Sequence, residues 1–197
     1  VLFVGGLPGC GKVVLASILG SLARVELNKY NESLEHVCVL RLLGKLDEET
    51  ATTMIRLLTD LDLYRVSMSR EVNLRFTDAS SVWKSPGMWR FLRRLYQPGD
   101  AAAVERIRRD KPILNLFLHS GLAISPPLFQ ALGSAVRLLD LVRHPLHMIH
   151  VSWRTYIERY GTDGRDFTLW CDYQGRAVPY FAHGWEDLYL RSNPMDR

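Results

Sequence analysis

Cysteine is scarce in this chain, and long apolar runs are missing from it. The 197 residues include three cysteines, which lie far apart at Cys10, Cys38 and Cys171. This spacing contains no CxxC pair, so it excludes a zinc ribbon and gives no disulfide framework. The sequence leaves the location of the protein open and favours a reducing, cytoplasmic compartment. No apolar run approaches the roughly 20 residues that a membrane-spanning helix needs, so we expect no membrane span in this chain.

An excess of charge of one sign is also missing. The chain has 25 Lys and Arg against 21 Asp and Glu, a net charge of +4. This mild basicity suits a small anionic ligand but does not indicate nucleic acid as a partner. The length fits one domain with a single core over residues 1–197. Because Val1 already lies inside an apolar strand pattern, we expect this domain to be trimmed at one or both ends.

Strand and helix patterns alternate along the chain. Apolar runs predict strands over residues 1–4, 113–118 and 136–142. Helical spacing predicts helices over residues 12–23, 88–95, 100–109 and 145–160. Asp47 is placed to cap a further helix, whose predicted inner face is Met54, Ile55, Leu58 and Leu61. We therefore predict a three-layer α/β/α fold with a central parallel sheet, and a helical insertion between the first and later core strands.

Three polar segments follow the predicted strands. They are Gly6–Lys12, His119–Gly121 and Arg143–Pro145. In open parallel sheets the ligand lies beyond the carboxyl ends of the strands. The sequence therefore predicts one site, at one edge of the sheet, to which all three segments contribute.

The first of these segments is a glycine-rich loop of the P-loop type. Its sequence, Gly6-Leu7-Pro8-Gly9-Cys10-Gly11-Lys12, fits G-x-x-x-x-G-K between a strand and a helix. The glycines permit backbone N–H groups to converge on an anion. The helix N-terminus and the Lys12 ammonium add positive charge. We predict that this loop binds phosphate.

The residue after the lysine argues against a magnesium-dependent nucleoside triphosphatase. Such enzymes use a Ser or Thr hydroxyl there as a metal ligand, whereas this chain has Val13. Asp140 loosely imitates a second metal-binding motif, but the predicted strand continues past it to Val142. We predict no metal site.

Three segments together resemble sulfotransferases that use 3′-phosphoadenosine 5′-phosphosulfate (PAPS). The loop and its apolar helix resemble the 5′-phosphosulfate loop, commonly G-L-P-R-S-G-S-T, with Gly9, Lys12 and Val13 in place of its basic and hydroxyl residues. His119-Ser120-Gly121-Leu122-Ala123 resembles the segment of the catalytic histidine. Leu141-Val142-Arg143-His144-Pro145, with Ser152 downstream, resembles the 3′-phosphate motif. The resemblance covers residues 1 to about 160.

The resemblance implies an enzyme that transfers a sulfuryl group to the hydroxyl or amine of a small-molecule or glycan acceptor. It implies a general base at His119 and a catalytic or phosphate-binding cation at Lys12. Residues implied to bind PAPS, or its product 3′,5′-bisphosphoadenosine (PAP), are Gly6, Leu7, Pro8, Gly9, Cys10, Gly11, Lys12, Val13, Arg143 and Ser152. No step of this chemistry requires a metal.

Other interpretations stay open. The chain could be a P-loop kinase or nucleoside triphosphatase, or a nucleotide-binding module without catalysis. His144, His147 and His150 recur every third residue, but three-residue steps drift around a helix, so we predict a solvated histidine face. A basic run at Arg106, Arg108, Arg109 and Lys111 is predicted to be a solvated helix end, with recognition of an acidic acceptor as the alternative.

Overall fold

The computed structural model describes residues 1–78, 80–119, 121–152 and 168–192, with only the backbone of Ser152. The four strands of the main sheet are β1 (Leu2–Gly5), β2 (Val25–Tyr30), β3 (Ile113–Phe117) and β4 (Arg137–Asp140). The helices up to the last of these strands are α1 (Lys12–Leu19), α2 (Glu32–Leu42), α3 (Glu48–Ser67), α4 (Met88–Leu95), α5 (Asp100–Asp110) and α6 (Pro126–Leu132). They are followed by α7 (Pro145–Ser152), β5 (Trp170–Tyr173), β6 (Arg176–Pro179) and α8 (Glu186–Arg191).

The first four strands form one parallel sheet in the order β2-β3-β1-β4. Strand β1 pairs with β3 on one side and with β4 on the other, with Phe3 opposite both Leu116 and Leu138. Helices flank this sheet, since parallel neighbours need a crossover connection of a dozen or more residues. The prediction of a mixed α/β fold around a central parallel sheet is therefore confirmed.

The core lies around the middle of this sheet. Phe3, Leu114 and Leu116 are fully or almost fully buried on the strands, and Leu34 and Ile55 cover them from α2 and α3. Burial of each such side chain contributes roughly 1.5–3 kcal/mol. The core thus packs the helical region of residues 32–67 against β1 and β3, and fixes the positions of these two strands.

Strand β2 was missed by the sequence analysis. It is the edge strand beside β3, and the helical insertion, α2–α5, begins after it rather than directly after α1. The charged residues Glu26 and Lys29 lie within the strand, so its sequence resembles that of an exposed surface segment. Both are buried or half-buried because Arg94 and Asp62, distant in sequence, pair with them.

Helix α3 begins as expected, with the Asp47 carboxylate accepting a hydrogen bond from the Thr50 N–H at 2.8 Å. Its predicted inner face was partly wrong, because Met54 is exposed. The buried stripe follows Ala51, Ile55, Thr59, Asp62 and Val66. Two polar members of the stripe explain why an apolar pattern missed it.

Three predicted elements end earlier than expected, of which β3 stops one residue short, at Phe117. Helix α1 stops at Leu19, and Arg24 takes a left-handed φ of 66° just before β2. Strand β4 stops at Asp140 because its partner β1 ends opposite, at Gly5. Of the helix predicted over residues 145–160, the structure describes α7; residues 153–160 lie outside the described part of the chain.

The last described residues form a small antiparallel hairpin, β5–β6, followed by α8. This hairpin was not predicted. Leu169 and Tyr180, at either side of it, pack against the main core. The hairpin therefore adjoins the helical region rather than extending the parallel sheet.

Candidate active site

Three predicted segments meet at the carboxyl edge of the sheet. Strand β1 ends at Gly5, immediately before the glycine-rich loop. His119 lies two residues after the end of β3, and Arg143 three residues after the end of β4. Since the strands are parallel, these positions share one edge. The predicted placement of the three segments is confirmed.

The glycine-rich loop has the backbone that its composition predicts. Gly6, Gly9 and Gly11 all have positive φ, at 131°, 86° and 103°. The Cys10 N–H donates to the Leu7 carbonyl at 3.1 Å, which closes a turn inside the loop. Helix α1 then begins at Lys12, with Gly11 as its N-cap. Leu7 is exposed, and Pro8 and Val13 are half-buried.

Lys12 is the buried cation of the site. Its residue is 4% exposed, and its Nζ donates a hydrogen bond to the Gly6 carbonyl at 2.8 Å. Burial lowers the pKa of Lys12, while the nearby acidic groups of Cys10, Glu35 and Asp140 oppose that shift. The ammonium therefore lies inside the loop, against the carbonyl of its first residue.

Arg143 stands on the other side of the loop. Its Nη1 donates to the Gly9 carbonyl at 3.2 Å, and its side chain is otherwise exposed. Gly6, Cys10, Asp140, Arg143 and Met148 are among the residues that line a cavity of about 380 Å³. This donor-side cavity, as we call it, has mostly apolar walls with an arginine at its rim, which suits a ligand with a flat ring and an anionic group.

His119 is held by a carboxylate that the sequence analysis did not select. Glu35, in the first turn of α2, is 5% exposed. Its Oε2 accepts a hydrogen bond from the His119 backbone N–H at 2.9 Å and lies 3.4 Å from His119 Nδ1. A proton on Nδ1 pointing at this carboxylate leaves the Nε2 lone pair free to accept another.

Two aromatic rings pack against the imidazole. The Tyr30 ring meets His119 edge-on with centroids 4.9 Å apart, and it stacks on Phe117 at 5.2 Å. Burial, with the carboxylates of Glu35 and Glu32, raises the pKa of Tyr30, so its phenol stays protonated at neutral pH. The same two rings line a second cavity of about 250 Å³ against β2. We call it the β2-side cavity.

Asp140 has a different position from the one predicted. It is the last residue of β4 rather than an interior residue, because the strand ends there. Its Oδ1 is buried and has no hydrogen-bond partner among the described residues. It packs so closely on Gly5 that a Cβ there would lie 2.4 Å from it. Asp140 is thus a buried carboxylate packed against Gly5, the residue that directly precedes the glycine-rich loop.

The remaining candidate residues of the sequence have fewer described contacts. Ser152 lies in α7, but its side chain is outside the described part of the chain, as is Ser120. Of the three spaced histidines, His144 and His147 meet edge-on with ring centroids 6.0 Å apart. Among residues 1–78, 80–119, 121–152 and 168–192, no group of three or more His, Cys, Asp or Glu is placed to hold a metal ion.

The missed residues of the site, Tyr30 and Glu35, share one cause. Both depend on β2, since Tyr30 ends that strand and Glu35 follows it by one helical turn. The sequence did carry a signal for this strand, because apolar and polar residues alternate at Val25, Glu26, Leu27 and Asn28. A strand there would have brought the start of α2 to the same edge of the sheet as the loop.

Comparisons with protein-family models, with curated proteins and with solved structures found no match for this chain. Across the described residues, the helices are all too short or too polar to cross a membrane.

Proposed function

We propose that this chain is a sulfotransferase that moves a sulfuryl group from PAPS to an acceptor hydroxyl or amine. One observation carries the proposal: the glycine-rich loop, the histidine and the arginine of the family-like motifs meet at one sheet edge. In the order β2-β3-β1-β4, the strand that precedes His119, β3, lies between β1, which carries the loop, and β2, which lines the β2-side cavity.

The donor is assigned to the side of the sheet that carries β1 and β4. The donor-side cavity adjoins the loop where Lys12 is buried, and Arg143 stands at its rim. The loop N–H groups and Lys12 would hold the 5′-phosphosulfate, and the Arg143 guanidinium would leave Gly9 for the 3′-phosphate. The residues present therefore fit a doubly anionic adenosine ligand.

The acceptor is assigned to the opposite side of His119, in the β2-side cavity. Tyr30 and Phe117 contact the imidazole and also line this cavity, which joins it to the reacting edge. Three cations line it: Lys29 is paired with Asp62 and Glu71 at 2.6 and 2.7 Å, Arg94 is paired with Glu26, and Arg90 donates to the Val25 carbonyl. The aromatic walls favour a hydroxyl compound with an apolar or ring-bearing body.

His119 and Lys12 divide the chemistry between them. His119 Nε2 accepts the proton as the acceptor oxygen bonds to sulfur, and the bond from sulfur to the 5′-phosphate oxygen breaks. Lys12 stabilises the charge that develops on that departing oxygen. Glu35 orients the imidazole and stabilises its positive charge after proton transfer. Positioning and charge stabilisation supply most of the rate in transfers of this kind.

Calorimetric titration with PAP tests the donor assignment directly. We expect metal-independent binding that weakens about tenfold or more in Arg143→Ala, the loss of a charge-assisted bond to phosphate. Arg176→Ala removes the same charge from the exposed β6 strand and should leave affinity unchanged. If PAP does not bind, or binds equally well to both variants, the donor assignment is wrong.

A nucleoside triphosphatase is the second candidate, and Asp140 is the observation that favours it. A carboxylate at the end of β4 with an unpartnered buried oxygen lies where a metal–phosphate complex could approach. Val13 still supplies no hydroxyl ligand. Binding of ATP that requires Mg²⁺ and is lost in Asp140→Asn would establish this candidate in place of the first.

A further inference from the structure

A third cavity, of about 260 Å³, lies at the opposite edge of the sheet and is rich in arginine. Pro112, which lines it, directly precedes β3, and Arg90 Nη2 donates to the carbonyl of Val25, the first residue of β2. The cavity is therefore at the amino ends of the strands. We call it the arginine cavity; its guanidinium residues are Arg90, Arg93, Arg94, Arg106 and Arg109.

Carboxylates neutralise only part of this charge. Arg94 forms a bidentate pair with Glu26, at 2.6 and 2.9 Å, and Arg109 pairs with its neighbour Asp110. Arg90, Arg93 and Arg106 have no carboxylate partner in the described parts of the chain. The five guanidinium groups of the cavity are thus balanced by only two carboxylates, those of Glu26 and Asp110, and the remaining positive charge favours an anion there.

Two buried donors also lack an acceptor. Arg106 donates through Nη1 to the Pro98 carbonyl at 2.7 Å, but its Nη2 is buried with no partner among the described residues. The same holds for Oγ of Ser67, a residue 4% exposed in the last turn of α3. Buried polar groups are nearly always satisfied. Two unsatisfied donors lining one cationic cavity indicate an acceptor that comes from outside the chain.

We infer that the arginine cavity binds a tetrahedral oxyanion, the sulfate or phosphate group of a ligand or the free ion. Its donors come from three helices, α3, α4 and α5, and so approach from several directions. A tetrahedral group offers oxygens in all those directions, whereas a carboxylate offers two in one plane. The cavity shares Arg90 and Arg94 with the β2-side cavity, but the inference is independent of the proposed function because Ser67, Arg93 and Arg106 line the arginine cavity alone.

The predicted solvated helix end is confirmed for Arg108, Arg109 and Lys111, which are exposed, but not for Arg106, which is half-buried. Arg106 and Arg109 both line the cavity. Lys111 caps α5 in a left-handed conformation and does not line the cavity. The run therefore has two faces, of which one belongs to a site and the other to solvent.

Titration of the whole chain with sulfate, with phosphate and with a sulfated tetrasaccharide tests the inference. Arg93→Ala removes an exposed guanidinium with no partner among the described residues, so the fold should survive. We expect affinity to fall about tenfold, the usual effect of one charge-assisted hydrogen bond. Ser67→Ala should weaken binding as well, without changing the net charge.

Two matched controls make the result specific. Arg108→Ala changes the same charge on the solvent face of α5, and Arg176→Ala removes an exposed arginine from β6. Both should bind sulfate as the unaltered chain does. Equal weakening in Arg93→Ala and Arg108→Ala would show that affinity depends only on the net charge of the chain. Weakening in Arg143→Ala alone would show that the anion binds at the glycine-rich loop. Either result overturns the inference, as does the absence of binding.

The choice of titrant separates the two sources of the anion. Tighter binding of the tetrasaccharide than of sulfate, weakened in Arg93→Ala, identifies a sulfate ester on a larger molecule. Equal affinity for sulfate and tetrasaccharide, with the same variant profile, identifies the isolated oxyanion. Both results support the inference that a tetrahedral anion occupies the arginine cavity.

Discussion

Glu35 Oε2 accepts a hydrogen bond from the His119 backbone N–H at 2.9 Å and lies 3.4 Å from Nδ1 of the same residue. One carboxylate therefore fixes both the chain and the ring of His119. Because burial leaves it little water to bond with, its orientation is set by these contacts. Its negative charge is placed to stabilise an imidazolium.

On the proposed function, Glu35→Gln should lower the rate of sulfuryl transfer without unfolding the chain. Glutamine keeps an oxygen for the His119 N–H but has no negative charge to stabilise the protonated ring. General base catalysis is worth about 10²- to 10⁴-fold, so we expect a loss of about ten- to a hundredfold in kcat. Steady-state kinetics on Glu35→Gln, His119→Ala and the double variant would measure it.

A shared role makes the two losses non-additive. The double variant should be no slower than His119→Ala alone, because Glu35 acts through the imidazole. Glu32→Gln, an exposed change on the same first turn of α2, is the matched control and should keep full activity. Losses that multiply in the double variant would show that Glu35 acts separately from His119.

If the loop binds PAP as proposed, Gly6→Ala should abolish that binding, whereas Gly11→Ala should weaken it less. Both glycines have positive φ, but a Cβ on Gly6 would lie 2.6 Å from Cys10 Sγ and 2.7 Å from the Leu141 carbonyl oxygen. A Cβ on Gly11 meets nothing within 4 Å. The Gly11 variant therefore bears only a conformational cost of about 1–2 kcal/mol.

Urea unfolding and PAP titration of the two variants test this difference. We expect Gly6→Ala to lose more than the conformational cost, because the Leu141 oxygen belongs to the backbone and cannot swing away. Equal losses in both variants would mean that the loop relaxes around the added methyl group, and that its packing on residue 141 does not set its shape.

Local chemistry explains which parts of the fold could be predicted from the sequence. The glycine-rich loop needs positive φ and small residues at fixed positions, and those requirements are visible in three glycines. Strand β2 could not be recognised in the same way, because Glu26 and Lys29 are stabilised by residues 68 and 33 positions further along. The dyad of Glu35 and His119 depends on that strand, so it was missed too.

Arg94→Ala should destabilise the chain by about 3–5 kcal/mol, the usual cost of leaving one member of a buried ion pair uncompensated. Glu26 is 1% exposed, and both its oxygens accept hydrogen bonds from the Arg94 guanidinium. Without the arginine, a charged carboxylate would remain between β2 and α4. Chemical denaturation at neutral pH would measure the loss.

The adjacent residue supplies a control for this pair. Arg93→Ala changes the same charge one position away, where the side chain is exposed, and should alter stability by no more than about 0.5 kcal/mol. Replacing both members, as Glu26→Leu with Arg94→Met, should recover much of the loss, because no charge is then left buried. A double variant as unstable as Arg94→Ala would contradict this account.

Asp47→Asn should lower stability at neutral pH and lose that effect in acid. The carboxylate caps α3 through the Thr50 hydroxyl at 2.6 Å and the Thr50 N–H at 2.8 Å, and these hydrogen bonds lower the pKa of Asp47. Because the folded pKa lies below the unfolded value, the stabilisation is complete above that value of 3.8. It is lost as the pH falls through the lowered pKa.

Thermal unfolding of the unaltered chain and of Asp47→Asn between pH 7 and pH 2 would test the sign. The two melting temperatures should differ above about pH 4 and converge below it, since the ordinary pKa of aspartate is near 3.9. Asp60→Asn, an exposed change on the same helix, should shift the melting temperature less and with a different dependence on pH. A difference between the two melting temperatures that stayed constant down to pH 2 would mean that asparagine alters α3 through packing. The charge of Asp47 would then not stabilise the helix N-terminus.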